Sequence, residues 1–212
     1  MPIESLLTMP QFSAFLAVAV LVTLAPGPDN LMVLGLGMAR GPRSGVAFGL
    51  GCAFGCFNHT LLAALGVSAL IAASPAAFTA LKIAGGLYLV WLGAQAISSA
   101  RPVGATAPAA DDAPTSLFVK GLISNAINPK VILFFLAFLP QFVDNGRGHA
   151  GWQMAQLGLL FTFETTLIFA AIGWFAGSLG ERLAHRPAVG AWLDRIAGGI
   201  FVALGLRLLV AR

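Results

Sequence analysis

The sequence predicts an all-α integral membrane protein with six transmembrane helices in two inverted three-helix repeats, helices 1 and 4 being broken at proline-containing motifs. Hydrophobic residues make up 58% of the chain and charged residues only 9%, against about 25% charged in an ordinary soluble domain. Six apolar stretches reach the roughly 20 residues that a spanning helix needs. They cover residues 10–39, 44–72, 76–100, 116–142, 152–178 and 188–210.

Helix-breaking residues interrupt the first and fourth stretches near their middles. The first break consists of Pro26, Gly27, Pro28, Asp29 and Asn30, and the second of Asn128, Pro129 and Lys130. An offset of 101 residues (129 − 28) aligns Pro28 with Pro129 and places Asp29 opposite Lys130. Discontinuous helices in corresponding positions of two repeats point to the binding site of a secondary transporter. We therefore expect these prolines and Gly27 to act as breaks and hinges.

The chain divides into two halves around a linker. Residues 101–115 are rich in Pro, Ala and Asp, so they separate a first three-helix repeat, 1–100, from a second, 116–212. The motif Lys82-Ile-Ala-Gly-Gly opens the third helix, and Arg195-Ile-Ala-Gly-Gly opens the sixth. Because small residues let helices approach closely, we expect helices 3 and 6 to be a scaffold or a homo-oligomer interface.

Lys and Arg residues near the segment ends predict the topology. Those on one side are Arg40, Arg43, Arg101, Lys120, Arg182, Arg186 and Arg195, and those on the other are Lys82, Arg147, Arg207 and Arg212. Since the richer side is usually cytoplasmic, we expect the linker inside and both termini outside. The N-terminus lacks the basic region of a cleavable signal, so we expect the first segment to be retained.

Four ionisable residues fall near the middle of apolar helices: Asp29 in helix 1, His59 in helix 2, Lys130 in helix 4 and Glu164 in helix 5. A charge at the bilayer centre costs about 2.5–3.5 kcal/mol on insertion scales. Such residues usually face a cavity, pair with one another or take part in function. Helices 1, 2, 4 and 5 are therefore expected to line a pathway.

Asp29 and Lys130 each admit a structural and a functional interpretation. Asp29 follows Pro28 at the start of a half-helix, where an acidic side chain complements the helix dipole. Lys130 also starts a half-helix, where a cation is disfavoured. Something negative should compensate for it, namely Asp29, Glu164 or an anionic group of a substrate. A permanent Asp29–Lys130 ion pair and a pair that opens for substrate both remain open.

Other polar residues at mid-depth are candidates for proton coupling and for support of the breaks. Histidine is the side chain that ordinarily titrates near neutrality, so His59 is either a satisfied structural residue or a relay. Glu164 is the stronger candidate for a proton carrier, because a buried carboxyl exchanges its proton closer to neutral pH than an exposed one. Asn125 and Asn128 flank the second break, where they can satisfy freed backbone groups.

Other function classes fit the sequence poorly. The net charge of +4 comes without a basic run, so we expect no nucleic-acid partner. Nucleotide-binding, haem and nucleophile-elbow motifs are missing from the sequence, so we expect neither an enzyme nor a cofactor. A single mid-membrane His and the lack of a carboxylate cluster argue against a metal site. An inorganic-cation exporter is therefore the weaker alternative to an amino-acid exporter. Cys52 and Cys56 form either an intramembrane thiol redox carrier or part of a tightly packed helix face.

Two segments resemble the signatures of the lysine exporter–type translocator family (LysE/RhtB). They are Leu24-Ala-Pro-Gly-Pro-Asp-Asn-Leu and the stretch 128–143, which begins Asn-Pro-Lys. The stretch 81–93 is similar to that family's third helix. The resemblance implies a bacterial inner-membrane exporter of amino acids and derivatives, including basic amino acids, threonine, homoserine and homoserine lactone. It also implies coupling to the proton gradient.

The resulting hypothesis assigns one pole of the site to each charge of a zwitterionic amino acid. We expect Lys130 and the amides exposed after the second break to hold the carboxylate. Asp29 and the carbonyls freed at the first break would hold the ammonium group, and rocking of the repeats would alternate access. The complete set of candidates is Asp29, Asn30, Asn128 and Lys130 for the substrate, and Glu164 and His59 for the proton.

Overall fold

The computed structural model describes residues 7–98, 112–178 and 187–210, and every regular element in these ranges is helical. The helices are α1 Met9–Leu24, α2 Pro28–Arg40, α3 Pro42–Leu61, α4 Ser68–Ala73, α5 Pro75–Ser98, α6 Pro114–Ala126, α7 Pro129–Leu133, α8 Ala150–Trp174 and α9 Pro187–Val210. The predicted all-α class is confirmed. Most of the predicted linker and the topology residues Arg101, Arg182, Arg186 and Arg212 lie outside the described residues.

Within the described residues, three helices are long and apolar enough to span a membrane, and the number rises to as many as five if each of two bent helix pairs is one span. In one pair, the axis bends by 57° between α1 and α2. In the other, it bends by 49° between α6 and the segment Pro129–Phe142. The three straight candidates are Pro42–Val67, Ala76–Ser98 and Ala150–Trp174. The sixth predicted span is the 24-residue α9, which is not among these five, so this span stays a prediction.

Both predicted helix breaks are present, and proline chemistry explains them. α1 ends at Leu24 and α2 begins at Pro28, whereas α6 ends at Ala126 and α7 begins at Pro129. A proline has no N–H to continue the preceding helix, and its fixed φ suits the first turn of the next one. The breaks therefore leave backbone groups free next to the buried charges of Asp29 and Lys130.

Two π-helical turns extend the second and fourth predicted spans. α3 continues into the π-turn Leu62–Val67, and α7 continues into the π-turn Phe134–Phe138 and the 3₁₀ turn Leu139–Phe142. Pro140 lies at the change from π to 3₁₀, where its missing N–H interrupts regular bonding. Because both stretches are almost uniformly apolar, no periodicity distinguishes an α-turn from a π-turn, and the sequence predicts only helix here.

α3 packs against α2, α6 and α8 through small residues. A Cβ on Gly51 would meet the backbone carbonyl of Phe118, and a Cβ on Gly121 of α6 would meet the α3 backbone in return. Cys52 and Cys56 lie on the same helix as fully buried free thiols. This close approach agrees with the interpretation of the cysteines as part of a packed helix face.

α5 and α9, the predicted helices 3 and 6, pack against each other. A Cβ on Gly93 would lie 2.5 Å from the carbonyl oxygen of Gly198, and a Cβ on Gly198 would lie 2.6 Å from that of Gly93. Gly86 and Gly205 face each other in the same way. These glycines serve contacts within one chain, which favours the scaffold interpretation. A homo-oligomer through the two helices stays a prediction.

Candidate functional site

The four ionisable residues at mid-depth are all buried. The exposed fraction of the residue is 1% for Asp29, 3% for His59, and 5% for both Lys130 and Glu164. Asp29 and Lys130 line one small cavity, whereas Glu164 and His59 bond to residues that line it. The other lining residues are Val22, Thr23, Asn30, Asn125, Val131, Phe161, Thr165 and Phe169.

The ammonium group of Lys130 reaches from α7 to the end of α1. Its Nζ donates to the carbonyl oxygens of Val22 at 3.1 Å and Ala25 at 3.0 Å, and to Oδ1 of Asn30 at 3.4 Å. Three acceptors match the three N–H groups of an ammonium ion. The centroid of the Phe201 ring lies 5.9 Å from Nζ, which is a cation–π distance. We call the three oxygens the ammonium seat.

The first helix break creates the ammonium seat. In a continuous helix the carbonyl of Val22 would accept from residue 26, but Pro26 has no N–H. Carbonyls at a helix C-terminus carry partial negative charge and attract cations. Backbone carbonyls thus supply the compensation that Lys130 requires. No ion pair joins Asp29 to Lys130 in the described part of the chain, so the permanent pair, one of the two options above, is not formed.

Asp29 reaches in the opposite direction, from α2 to the end of α6. Its Oδ1 accepts from Oγ of Ser124 at 2.8 Å, and its Oδ2 accepts from Nδ2 of Asn125 at 2.9 Å. It also lies in the first turn of α2, where a carboxylate complements the helix dipole. The two charged residues therefore bind across the breaks. Asp29, at the start of α2, bonds to the end of α6, and Lys130, at the start of α7, bonds to the end of α1.

Asn125 joins three buried groups, although it is not among the predicted ligands. Its Nδ2 holds Asp29, its Oδ1 accepts from Sγ of Cys56 at 3.7 Å, and its carbonyl lies 3.1 Å from Nε2 of His59. That carbonyl has lost its helical donor at Pro129. Because a carbonyl only accepts, His59 carries a proton on Nε2. In the sequence, the feature that could have identified Asn125 as a site residue is its position as a polar side chain one helical turn before the second break.

Glu164 is bonded through one of its two carboxylate oxygens. Its Oε1 accepts from Oγ1 of Thr23 at 2.6 Å and from Oγ1 of Thr165 at 3.2 Å. Its Oε2 is buried without a hydrogen-bond partner among the described residues. Buried polar atoms are normally bonded, so such an exception requires an explanation. Thr162 and Thr166 bond carbonyls four residues earlier in α8, at 2.9 and 2.7 Å, and so satisfy their own helix.

The two asparagines predicted as ligands orient the breaks. Nδ2 of Asn30 donates to the carbonyl of Thr23 at 2.6 Å, which turns Oδ1 towards Lys130. Asn128 caps α7, since its Oδ1 accepts from the backbone N–H of Lys130 at 3.0 Å. Its Nδ2 is buried and has no partner within the described ranges. That amide group is therefore a donor that a ligand can use.

Gly27 provides space for the ammonium group of Lys130. Its φ of −166° is extended backbone that any residue adopts, so conformational freedom does not explain a glycine here. A Cβ at this position would lie 3.0 Å from Nζ and 3.3 Å from Cε of Lys130. The glycine therefore leaves room for the close approach of the lysine to the break, and a Cβ here would require the ammonium group to shift by a few tenths of an ångström.

The cavity between the breaks is closed in this conformation. Its volume is about 10 Å³, room for about one water molecule. Pockets for small molecules usually measure about 300–1,000 Å³. An amino acid does not fit into the cavity in this conformation.

Apolar spans, two proline-broken helices and buried charges at the breaks define a class of protein. The chain is a multi-pass membrane protein with two discontinuous helices, a feature from which secondary transporters commonly build their binding sites. Residues 20–212 match the LysE type translocator family, and the chain belongs to this family. The family resemblance predicted from the sequence is thereby confirmed.

Curated relatives match over nearly their whole length. The threonine efflux protein of Escherichia coli K12 is 31% identical, over 93% of this chain and 98% of the relative. The leucine efflux protein of Enterobacter sp. strain 638 is 32% identical, over 93% and 94%. A membrane protein of Vibrio cholerae is 32% identical, over 94% and 96%. No solved structure matches the chain significantly.

Proposed function

We propose that this translocator is a proton-coupled exporter of amino acids or amino-acid derivatives in the bacterial inner membrane. The observation that carries the proposal is the crossed binding of Lys130 and Asp29 at the two breaks. The two residues put opposite buried charges on one cavity, which suits a substrate that has both an ammonium and a carboxylate group. The similarity to threonine and leucine efflux proteins supports the same substrate class.

The proposal includes an architecture of two inverted repeats with α9 as the sixth span, and corresponding hydroxyl positions before the two breaks support the repeat. The offset of 101 residues that aligns the breaks also aligns Thr23 with Ser124 (124 − 23). Thr23 donates to Glu164 at 2.6 Å, and Ser124 donates to Asp29 at 2.8 Å. Each hydroxyl precedes a break and holds a buried carboxylate. We divide the chain accordingly into a first repeat, a linker and a second repeat at 1–100, 101–115 and 116–212.

Substrate binding in this proposal replaces contacts that now keep the site closed. The substrate's ammonium group takes acceptors at the first break together with Asp29. Its carboxylate takes Lys130 and the buried Nδ2 of Asn128. The first backbone N–H groups of α7 are bonded to Asn128 in this conformation, so the role predicted for these amides requires those bonds to open. Because the present contacts of Asp29 and Lys130 cross between the two breaks, exchanging them for substrate contacts lets the halves separate.

Glu164 carries the coupled proton in this proposal, and its unbonded Oε2 is the atom that takes it. Asp29 and Lys130 balance each other in charge, so an ionised Glu164 adds a net negative charge to a buried site. Protonation removes that charge, and the unfavourable burial of an ion with it. His59 is the second candidate, although its Nε2 is engaged with the carbonyl of Asn125.

Counterflow in proteoliposomes tests the exporter function. Vesicles containing the purified protein are loaded with threonine, leucine, homoserine, homoserine lactone or lysine, and uptake of a labelled trace of the same compound is followed. We expect accumulation with at least one compound and none with Asp29→Asn. Trp192→Phe, at an exposed position on α9, is the control that keeps activity. Failure of every compound to exchange, with folded protein in the vesicles, would contradict the proposal.

A further inference from the structure

We propose that the ammonium seat, which Lys130 fills in this conformation, is the binding site for a primary ammonium group of the transported substrate. Lys130 is then a tethered competitor that keeps the site closed until substrate displaces it. The inference rests on the proposed function and adds to it the chemical group that the site recognises and the step that opens it.

The contacts of the seat are specific for an ammonium group rather than for a lysine side chain. Two of the three acceptors are the backbone carbonyls of Val22 and Ala25, and the third is the Oδ1 that Asn30 presents. All three need an N–H donor, so a quaternary ammonium would contact them without a hydrogen bond. The ring of Phe201, 5.9 Å from Nζ, favours a cation of either kind.

The break supplies the seat whether or not Lys130 is in it. The free carbonyl of Val22 follows from Pro26, and Oδ1 of Asn30 is aimed by its own bond to Thr23. Removing the lysine leaves these oxygens in place and unbonded. A lysine has a flexible stem of four carbons, so its ammonium group can withdraw without movement of the backbone of α7.

Displacement of Lys130 has an energetic condition. A tethered group competes at a high effective concentration, so a free amine alone competes poorly. An amino acid also brings a carboxylate, which gives the displaced Lys130 a new partner. A simple alkylamine should therefore bind weakly to the wild-type protein and strongly to a variant without the lysine.

The variant Lys130→Ala tests whether an alkylamine binds to the seat once the lysine is removed. The change removes three methylenes and the ammonium group, which n-propylammonium replaces atom for atom. We would measure the thermal midpoint in detergent against n-propylammonium and against tetramethylammonium, a cation without N–H, at constant ionic strength in sodium chloride. For the variant we expect a saturable rise of about 5–10 °C when n-propylammonium reaches about 100 times its Kd. We expect little change with tetramethylammonium, or with either salt in the wild type and in Lys120→Ala, which lacks an exposed lysine instead.

Equal responses of Lys130→Ala to the two salts, or none, would overturn the proposal. If Lys130→Ala is not recovered from the membrane, the same salts are added during extraction. Recovery of folded protein with n-propylammonium alone supports the seat, and failure with both salts counts against it. The measurement does not depend on amino-acid transport. If n-propylammonium stabilises Lys130→Ala but the wild type exports no amino acid, the seat is retained and the proposed function is rejected. If the wild type exports an amino acid but n-propylammonium does not stabilise Lys130→Ala, the proposed function is retained and the seat is rejected.

Discussion

At the scale of single residues, Lys130 and the first break each compensate for what the other lacks. A lysine at the bilayer centre costs about 2.5–3.5 kcal/mol on insertion scales. The carbonyl of Val22 has no helical donor because residue 26 is proline. Their hydrogen bond satisfies both groups, and bonds to a charged group contribute about 1.5–3 kcal/mol each. A buried charge and a broken helix are therefore stable together.

Gly27→Ala should weaken this arrangement. The new Cβ would lie 3.0 Å from Nζ of Lys130, so the ammonium group must shift away from its acceptors. We expect a loss of about 1–3 kcal/mol in the free energy of unfolding, the range for a disturbed bond to a charged group. Denaturant titration in detergent measures it. Gly66→Ala is the control, because a Cβ there meets nothing within 4 Å. Equal stability of the two variants would contradict the role of Gly27.

Asn125→Ala should impair both stability and export. The substitution leaves Oδ2 of Asp29 buried without its donor at 2.9 Å. An unsatisfied buried acceptor costs about 1–3 kcal/mol, more for a charged group. Counterflow and denaturant titration on the same preparation measure the two effects. Cys56→Ala, which removes the weak contacts from Sγ to Asn125 and to the carbonyl of Cys52, should retain activity. Wild-type export by Asn125→Ala would show that Asp29 does not need this donor.

At the scale of elements, the breaks expose backbone at matching depths, and close helix packing brings the breaks together. A second connection lies near the ends of the same helices. Asp112, just before α6, accepts from Nζ of Lys120 at 2.8 and 2.9 Å and from Nη1 of Arg40, the last residue of α2, at 3.4 Å. These ion pairs join the far end of the first broken span to the beginning of the second.

The Asp112 connection should depend on pH. The hydrogen bonds from Lys120, and then Arg40, hold the pKa of Asp112 below its ordinary value. A carboxyl with a lowered folded-state pKa contributes stability above its unfolded pKa, about 3.9, and loses it as the pH falls through the folded value. The thermal midpoint of the wild type should exceed that of Asp112→Asn at pH 7. The difference should begin to fall at about pH 4 and disappear below the folded-state pKa.

Salt provides the control for this prediction. The partners are partly exposed, so about 1 M sodium chloride should reduce the difference at pH 7 by screening. Equal midpoints of the wild type and Asp112→Asn at pH 7 and low salt would show that the connection does not stabilise the protein.

At the scale of the whole molecule, the cavity between the breaks is too small for an amino acid, so the proposed transport mechanism has the two broken spans separate. Glu164→Gln tests how a proton enters this movement. Glutamine resembles a protonated carboxyl, so the variant should keep substrate exchange and lose accumulation driven by a pH gradient. Both activities are measured in the same vesicles. Loss of exchange as well would show that Glu164 binds substrate or has a structural role. Full retention of uphill transport would leave His59 as the candidate proton carrier.

The orientation of the molecule is tested at the linker. The distribution of Lys and Arg predicts that Ala107 is cytoplasmic. A cysteine at this position, in a background without Cys52 and Cys56, should resist a membrane-impermeant maleimide in intact cells and react after the cells are opened. Rapid labelling in intact cells would reverse the assignment.

The sequence by itself determined the membrane class, the helical stretches, the two breaks and the buried ionisable residues of this protein. These features depend on local properties, because hydropathy selects the spans and each proline removes an N–H from its own helix. The family signatures are local too, so the translocator family was within reach of the sequence. The π-turns could not be predicted from the sequence, since these stretches are as uniformly apolar as an α-helical span.

Only the tertiary structure decided which groups meet. Lys130 binds the carbonyls of Val22 and Ala25, more than 100 residues away in the chain, instead of a carboxylate. Asn125 and Thr23 became part of the site because they face Asp29 and Glu164 across helix contacts. Such partners follow from the angles and close approach of packed helices, which composition and spacing along the chain do not specify.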